Sequence, residues 1–120
     1  MTTKIYGIKT CDTVRKARTW LDAHGIAYQF HDYRASGIDE ARLRRWVAAL
    51  GWTKLLNNAG TSFRALPEAD KAGLADAAQA EALAIALMLA NPTLIKRPVI
   101  ETGEALHVGF KPGDYAALFG

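Results

Sequence analysis

Cysteine is the scarcest chemically active residue in this chain. The 120 residues contain one cysteine, Cys11. A single cysteine excludes an internal disulfide framework and a Cys-x-x-Cys redox pair. The first residues lead directly into a predicted strand without an apolar leader, so we expect a reducing, cytoplasmic setting.

Metal-ligand patterns are also missing. The three histidines, His24, His31 and His107, lack metal-ligand spacing with one another or with Cys11. The glycines form no phosphate-binding loop. We therefore expect no metal site and no tightly bound cofactor.

Long apolar runs are limited to one stretch, residues 74–90. Asp76 and Glu81 interrupt it, and Pro92 follows its end. A membrane-spanning helix needs about 20 predominantly apolar residues. The stretch therefore predicts a buried helix, and we expect no membrane association.

Charge is modest but uneven. The formal net charge is +3, and residues 1–60 carry 10 Lys and Arg against 5 Asp and Glu. Arg42, Arg44 and Arg45 lie on one predicted helix without interleaved aromatic residues, which favours a solvated helix face over nucleic-acid binding. The basic first half suits a small anionic substrate.

Hydrophobic periodicity predicts one α/β domain spanning residues 1–120. The expected elements are a strand at 4–7, a helix from about residue 12 to Gly25, a strand at 28–33, a helix at 38–50, a polar loop at 57–62, helices at 67–73 and 79–90, strands at 99–101 and 106–108, and a helix from Pro112. This order predicts a thioredoxin-like fold, β-α-β and then β-β-α, with a mainly helical insertion at about 35–92. We expect a monomer.

Cys11 lies where the first predicted strand gives way to the first helix. Thr10, Asp12 and Thr13 flank it, and such residues are typical of a helix cap. Free backbone N–H groups at a helix N-terminus stabilise an anion, including a thiolate. A buried structural cysteine is the alternative, and the polar neighbours disfavour it.

The helix by itself is too weak to ionise this thiol at neutral pH. A helix dipole contributes ~0.3–1 kcal/mol, which lowers a thiol pKa of ~8.5 by only ~0.2–0.7. A cation within about 4–6 Å lowers a pKa by roughly 1–3. Activation of Cys11 therefore requires a nearby positive side chain.

The expected cation is Arg97. In a thioredoxin-like arrangement the loop before the third strand, which contains Arg97 and Pro98, faces the start of the first helix. Arg15 is a second candidate from the helix itself, although its spacing also fits a surface residue, and Asp12 opposes both cations. Pro98 is a place to expect a cis peptide, with a plain strand start as the alternative.

Five segments together resemble the ArsC/Spx family. They are residues 6–17 (YGIKTCDTVRKA), 30–34 (FHDYR), 55–57 (LLN), 60–64 (GTSFR) and 94–98 (LIKRP). The resemblance runs essentially end to end, and within the family the chain is most similar to the YffB branch. It implies a thioredoxin-like fold with a helical insertion.

The resemblance also implies a reaction. The family's glutathione- and glutaredoxin-dependent arsenate reductases use one nucleophilic cysteine and three arginines that hold the oxyanion and depress the thiol pKa. Cys11 matches the nucleophile and Arg97 one arginine, whereas Asn57 and Lys111 stand at the other two positions. Neither replacement provides the bidentate fork of arginine. Arg64 is a candidate replacement cation, with a surface role as the alternative.

The leading hypothesis is a glutathione-linked monothiol oxidoreductase with Cys11 and Arg97 as catalytic residues. Glutathione is the expected co-substrate, glutaredoxin a further expected partner, and the substrate a small anion or disulfide. The alternatives are a true arsenate reductase and an Spx-like RNA polymerase-binding regulator. Regulators of the Spx type usually carry a Cys-x-x-Cys switch, and in this chain Val14 stands at the position of the second cysteine. The expected substrate-binding residues are Thr10, Asp12, Thr13, Arg15, Asn57, Arg64, Pro98 and Lys111.

Overall fold

Residues 2–120 are described by a computed structural model, in which they form two units. The sheet unit contains the described residues up to Ser36 together with Arg97–Gly120, and the helical unit is Gly37–Lys96. The expectation of a single domain over residues 1–120 stays a prediction. No helix in the described part of the chain has both the length and the apolar character needed to cross a bilayer.

The sheet unit combines both ends of the chain. Its elements are β1 (Thr3–Gly7), α1 (Asp12–Ala23), β2 (Gln29–Asp32), α2 (Tyr33–Ser36), β3 (Val99–Thr102), β4 (Ala105–Val108) and α8 (Pro112–Phe119). The strands form one sheet in the order β2-β1-β3-β4. The predicted β-α-β and β-β-α elements are confirmed.

Strand β1 lies at the centre of the sheet and pairs with two neighbours. It is parallel to β2, with Gly7 opposite Asp32, and antiparallel to β3, with Ile5 opposite Ile100. Strands β3 and β4 form the expected antiparallel hairpin. Residues that follow β1 and β2 therefore emerge at the same edge of the sheet.

Two helices pack on this sheet. Val14, Ala17 and Leu21 are fully buried on α1, as their helical spacing predicted. Ala17 and Leu21 join Ile5, Ile100 and Tyr115 of α8 in one hydrophobic cluster. Burial of these apolar side chains provides the main stabilisation of the unit.

The predicted second strand is wrong at both ends. It begins at Gln29 instead of residue 28 and ends at Asp32, after which Tyr33 opens the short helix α2. The Asp32 carboxylate accepts hydrogen bonds from the backbone N–H groups of Arg34 (2.9 Å) and Ala35 (3.1 Å). This cap turns the chain into a helix where aromatic alternation had predicted continued strand.

The helical unit contains the central part of the chain. Its elements are α3 (Glu40–Leu50), α4 (Trp52–Leu55), α5 (Thr61–Arg64), α6 (Glu68–Leu74), α7 (Ala80–Ala90) and a 3-10 turn (Pro92–Leu94). Asp39 caps α3 by accepting a hydrogen bond from the N–H of Arg42 at 2.9 Å. The predicted loop at 57–62 is partly wrong, because α5 begins at Thr61.

The close approach of β1 to α1 generates a stability prediction. A Cβ atom at Gly7 would lie 2.6 Å from Cγ2 of the buried Val14. We expect Gly7→Ala to lower the free energy of unfolding by about 1–3 kcal/mol, because the helix must move to relieve the overlap. Urea denaturation measures the change.

Gly113→Ala is the matched control. A Cβ at Gly113 in α8 meets nothing within 4 Å, and alanine is the better helix former. This variant should be neutral or more stable. Equal stability of the Gly7 and Gly113 variants would contradict the packing argument.

Candidate active site

Cys11 is the N-cap residue of α1. Its backbone is extended, with φ −75° and ψ 128°. The N–H of Cys11 donates to the carbonyl of Ile8 at 3.0 Å, and the Cys11 carbonyl accepts from the N–H of Arg15 at 3.0 Å. These bonds fix the backbone of Cys11 between the end of β1 and the first turn of the helix.

A carboxylate from the neighbouring strand also holds this loop. The N–H of Lys9 donates to Oδ2 of Asp32 at 3.0 Å. Burial tends to raise the pKa of Asp32, but hydrogen bonds from the amides of Lys9, Ala35 and Arg34 outweigh it and lower that pKa. Asp32 therefore stays ionised and joins the loop before Cys11 to the start of α2.

The sulfur of Cys11 is half-buried and interacts with three groups that favour the thiolate. Burial raises the thiol pKa, but the Val14 amide, a hydrogen bond and charge from Arg97, and the Thr13 amide together lower it below the ordinary value. Both amides belong to the first turn of α1, so the N-terminus of the helix itself contributes to this lowering. The site can therefore supply a thiolate nucleophile.

Arg97 and the start of α1 both lower the thiol pKa. The sequence predicts a larger effect from Arg97 than from the helix dipole, and the largest single contribution that lowers the thiol pKa comes from the Val14 amide. The helix-dipole description replaces the end of a helix by one diffuse partial charge. A hydrogen bond from a single backbone N–H group acts on the sulfur at shorter range. Arg97 follows next and contributes again through its charge.

Arg97 reaches the sulfur from the segment that precedes β3. The Arg97–Pro98 peptide is cis, as expected from the sequence. Pro98 is buried, and its carbonyl accepts from the N–H of Gly109 at 2.8 Å. Burial lowers the pKa of Arg97, but Tyr33 and Cys11 outweigh it and raise that pKa, so the guanidinium stays charged.

Tyr33 is the site residue that sequence reasoning missed. Its side chain is fully buried, and its hydroxyl is hydrogen-bonded to the Arg97 guanidinium. The available signal was the parallel pairing of the first two strands, because the residues after each strand meet at one edge of the sheet. That rule places Tyr33 on the same edge as the Cys11 loop.

Two of the predicted substrate-binding residues at the start of α1 pair with each other. Arg15 forms an ion pair with Asp12, and both side chains are largely exposed. These two line an open groove with Lys16 and Thr19. The charge of Arg15 is therefore balanced by Asp12, and the predicted substrate-binding roles of these two residues stay predictions.

The remaining predicted residues of the sheet unit lie on the surface. Thr10 and Thr13 are exposed on either side of Cys11. Lys111 is exposed at the N-cap of α8, where its carbonyl accepts from the N–H of Tyr115 at 3.1 Å. Their roles toward a substrate stay predictions.

Asn57 and Arg64 belong to the helical unit. The Asn57 side-chain oxygen accepts from the N–H of Ala59 at 3.2 Å, and its backbone N–H donates to the carbonyl of Leu94 at 2.7 Å. Arg64 is exposed, and its Nη2 donates to the carbonyl of Ala59 at 3.3 Å. These contacts describe a local loop, and the predicted substrate roles of both residues stay predictions.

The sheet order, the thiol at the start of the first helix and the Arg-Pro segment before β3 define a thioredoxin-like protein with a single activated cysteine. The particular family follows from comparison with known proteins. A family model described as the ArsC family matches residues 6–118, and the chain belongs to that family.

Solved structures and curated relatives agree with this assignment. The chain is 60% identical to a YffB protein of known structure, with a TM-score of 0.89 over 97% of each chain. It is 51% identical to an arsenate reductase (ArsC) related protein from Brucella melitensis, with a TM-score of 0.74 over 99% of this chain and 95% of that one. The global transcriptional regulator Spx of Streptococcus mutans is 24% identical over 91% of this chain and 77% of its own length.

The contact between Arg97 and Cys11 predicts the pH dependence of thiol reactivity. Arg97→Ala should raise the thiol pKa and slow iodoacetamide alkylation at about pH 6 by roughly tenfold, because an adjacent cation lowers a pKa by about 1–3. Alkylation rates measured from pH 5 to 10 give the midpoint.

Arg15→Ala provides the control for loss of a positive charge from the same unit. Its guanidinium pairs with Asp12, so the thiol midpoint should move less than in the Arg97 variant. An unchanged midpoint in Arg97→Ala would contradict the assigned role of that guanidinium.

Proposed function

We propose that the protein is a glutathione-linked monothiol oxidoreductase in which Cys11 is the nucleophile. The observation that carries this proposal is the contact of the Arg97 guanidinium with a sulfur already placed at the N-terminus of α1. A thiolate attacks disulfide sulfur through a mixed-disulfide intermediate. The chain has one cysteine, so the second thiol must come from outside it.

The first step forms a bond between Cys11 and the substrate. The Cys11 thiolate attacks the glutathionyl sulfur of a mixed disulfide, a Cys11–glutathione disulfide forms, and the substrate leaves as a thiolate that takes a proton from water. The substrate sulfur is thereby reduced, and Cys11 is oxidised. Arg97 stabilises the thiolate that begins this step.

The second step regenerates the enzyme. A glutathione thiolate attacks the glutathionyl sulfur on Cys11, oxidised glutathione departs, and the Cys11 thiolate is released. Arg97 and the amides of Thr13 and Val14 now stabilise a leaving group, and a thiol of lower pKa leaves faster. The net reaction converts one mixed disulfide and one glutathione into one thiol and one oxidised glutathione.

Mass spectrometry tests the proposed intermediate. After treatment with oxidised glutathione, we expect one glutathionyl adduct per chain, located on Cys11 and removed by reduced glutathione. The same protein should turn over a glutathionylated peptide, monitored through production of oxidised glutathione.

Cys11→Ser is the control for both measurements and should form no adduct. The proposal would be contradicted if folded wild-type protein formed no adduct, or if its turnover of the peptide only equalled that of Cys11→Ser. The adduct is a covalent species, so its detection does not depend on the identity of the physiological substrate.

Arsenate reduction is the second candidate function. The 51% identity to a protein described as arsenate reductase related favours it. The sequence argues against tight oxyanion binding, because Asn57 and Lys111 stand where the resemblance implies arginines, and neither has the bidentate fork.

A coupled assay with arsenate, glutathione and glutaredoxin separates the two candidates. We expect wild-type turnover no higher than that of Cys11→Ser, since two of the three oxyanion-holding arginines are replaced. Turnover well above that background would establish arsenate as a substrate and would favour the second candidate.

Transcriptional regulation of the Spx type has weaker support. The identity to the streptococcal Spx protein is 24%. In this chain Val14 occupies the position of the second cysteine of a Cys-x-x-Cys switch, and its side chain lies on the fully buried face of α1. The described site therefore supports thiol chemistry with an external partner.

A further inference from the structure

We propose that Tyr33 is a positioning residue for the thiol chemistry, because its buried hydroxyl holds the Arg97 guanidinium against the Cys11 sulfur. This inference rests on the proposed function, in which the Cys11 thiolate is the nucleophile. The contacts that carry it lie entirely within the sheet unit.

The three side chains form a connected set. The Arg97 guanidinium is hydrogen-bonded to both the Tyr33 hydroxyl and the Cys11 sulfur. A guanidinium has donors and no acceptor, so the Tyr33 oxygen accepts and Arg97 donates. One cation is therefore shared between a rigid acceptor and the reactive sulfur.

Tyr33 is rigid for reasons visible in its surroundings. Its side chain is fully buried. The preceding residue, Asp32, accepts backbone hydrogen bonds from Lys9 (3.0 Å) and Arg34 (2.9 Å). A single carboxylate thus binds both the loop that leads to Cys11 and the turn that carries Tyr33.

A neutral acceptor suits this position. Burial raises the pKa of Tyr33 well above its ordinary value and outweighs the opposing effect of Arg97. The hydroxyl therefore stays uncharged, orients the guanidinium and leaves its charge available to the thiolate. A carboxylate in the same place would compete with the sulfur for that charge.

Loss of the hydroxyl should weaken the contact at the sulfur. Arginine has a long flexible side chain, and a fixed acceptor restricts the conformers in which its fork can act. Without that acceptor Arg97 should spend less time beside Cys11. The thiol pKa should then rise although both Cys11 and Arg97 remain present.

Alkylation of Tyr33→Phe tests this role. Phenylalanine keeps the ring and removes only the hydroxyl. We expect a higher thiol pKa and iodoacetamide alkylation about three- to tenfold slower at about pH 6, since the thiolate fraction falls tenfold for each pKa unit. In an Arg97→Ala background the same substitution should produce no further change.

Tyr115→Phe is the matched control. Tyr115 is also fully buried, and its hydroxyl donates to the carbonyl of Gly109 at 3.0 Å. Loss of the Tyr115 hydroxyl removes a comparable hydrogen bond and leaves the contacts of Arg97 in place. The pH profile of Cys11 alkylation should therefore match that of wild type. A wild-type profile for Tyr33→Phe, or an equal slowing in the Arg97→Ala background, would overturn the proposal.

A measurement on the wild-type protein covers the case in which Tyr33→Phe does not fold. With tyrosine labelled by carbon-13 at Cζ, the Tyr33 signal should shift with the same midpoint as Cys11 alkylation, while the Tyr115 signal should not. A Tyr33 signal that ignores the thiol titration would refute the inference. Neither experiment uses glutathione, so the two proposals can fail separately. If only the proposed function is wrong, Cys11 gains no glutathionyl adduct although its thiol pKa still depends on Tyr33.

Discussion

The hydrogen bond between the Arg97 guanidinium and the Cys11 sulfur is the interaction on which the proposed chemistry depends. It joins the segment before β3 to the start of α1, and the sheet makes this possible because β1 pairs with β3. Burial alone would favour the neutral thiol. The thiolate is favoured because two backbone amides and one cation act on the same sulfur.

The nucleophile and its support come from three separate parts of the chain. Cys11 lies in the loop after β1, Tyr33 begins the helix after β2, and Arg97 lies in the segment before β3. Asp32 connects the first and third of these through hydrogen bonds to backbone N–H groups. The proposed mechanism uses an external thiol because this chain contains no second cysteine to resolve a disulfide.

Local patterns predicted most of the sheet unit correctly. The spacing of Val14, Ala17 and Leu21 identified the buried face of α1, and alternation identified the strand that follows this helix. The predicted end of the second strand was wrong, because Asp32 caps the turn that follows instead of continuing the alternating strand. Arg15 was a candidate activator on spacing, but an equally local partner, Asp12, neutralises it.

The sequence by itself places a single thiol at the start of a helix, contains no second cysteine that could resolve a disulfide, and predicts that a cation assists ionisation of the thiol. Only the tertiary structure decided which groups supply that help. Arg97 reaches both Cys11 and Tyr33 because β2 ends, and β3 begins, at the edge of the sheet where β1 ends. Such contacts depend on strand pairing between distant segments, which local periodicity does not encode.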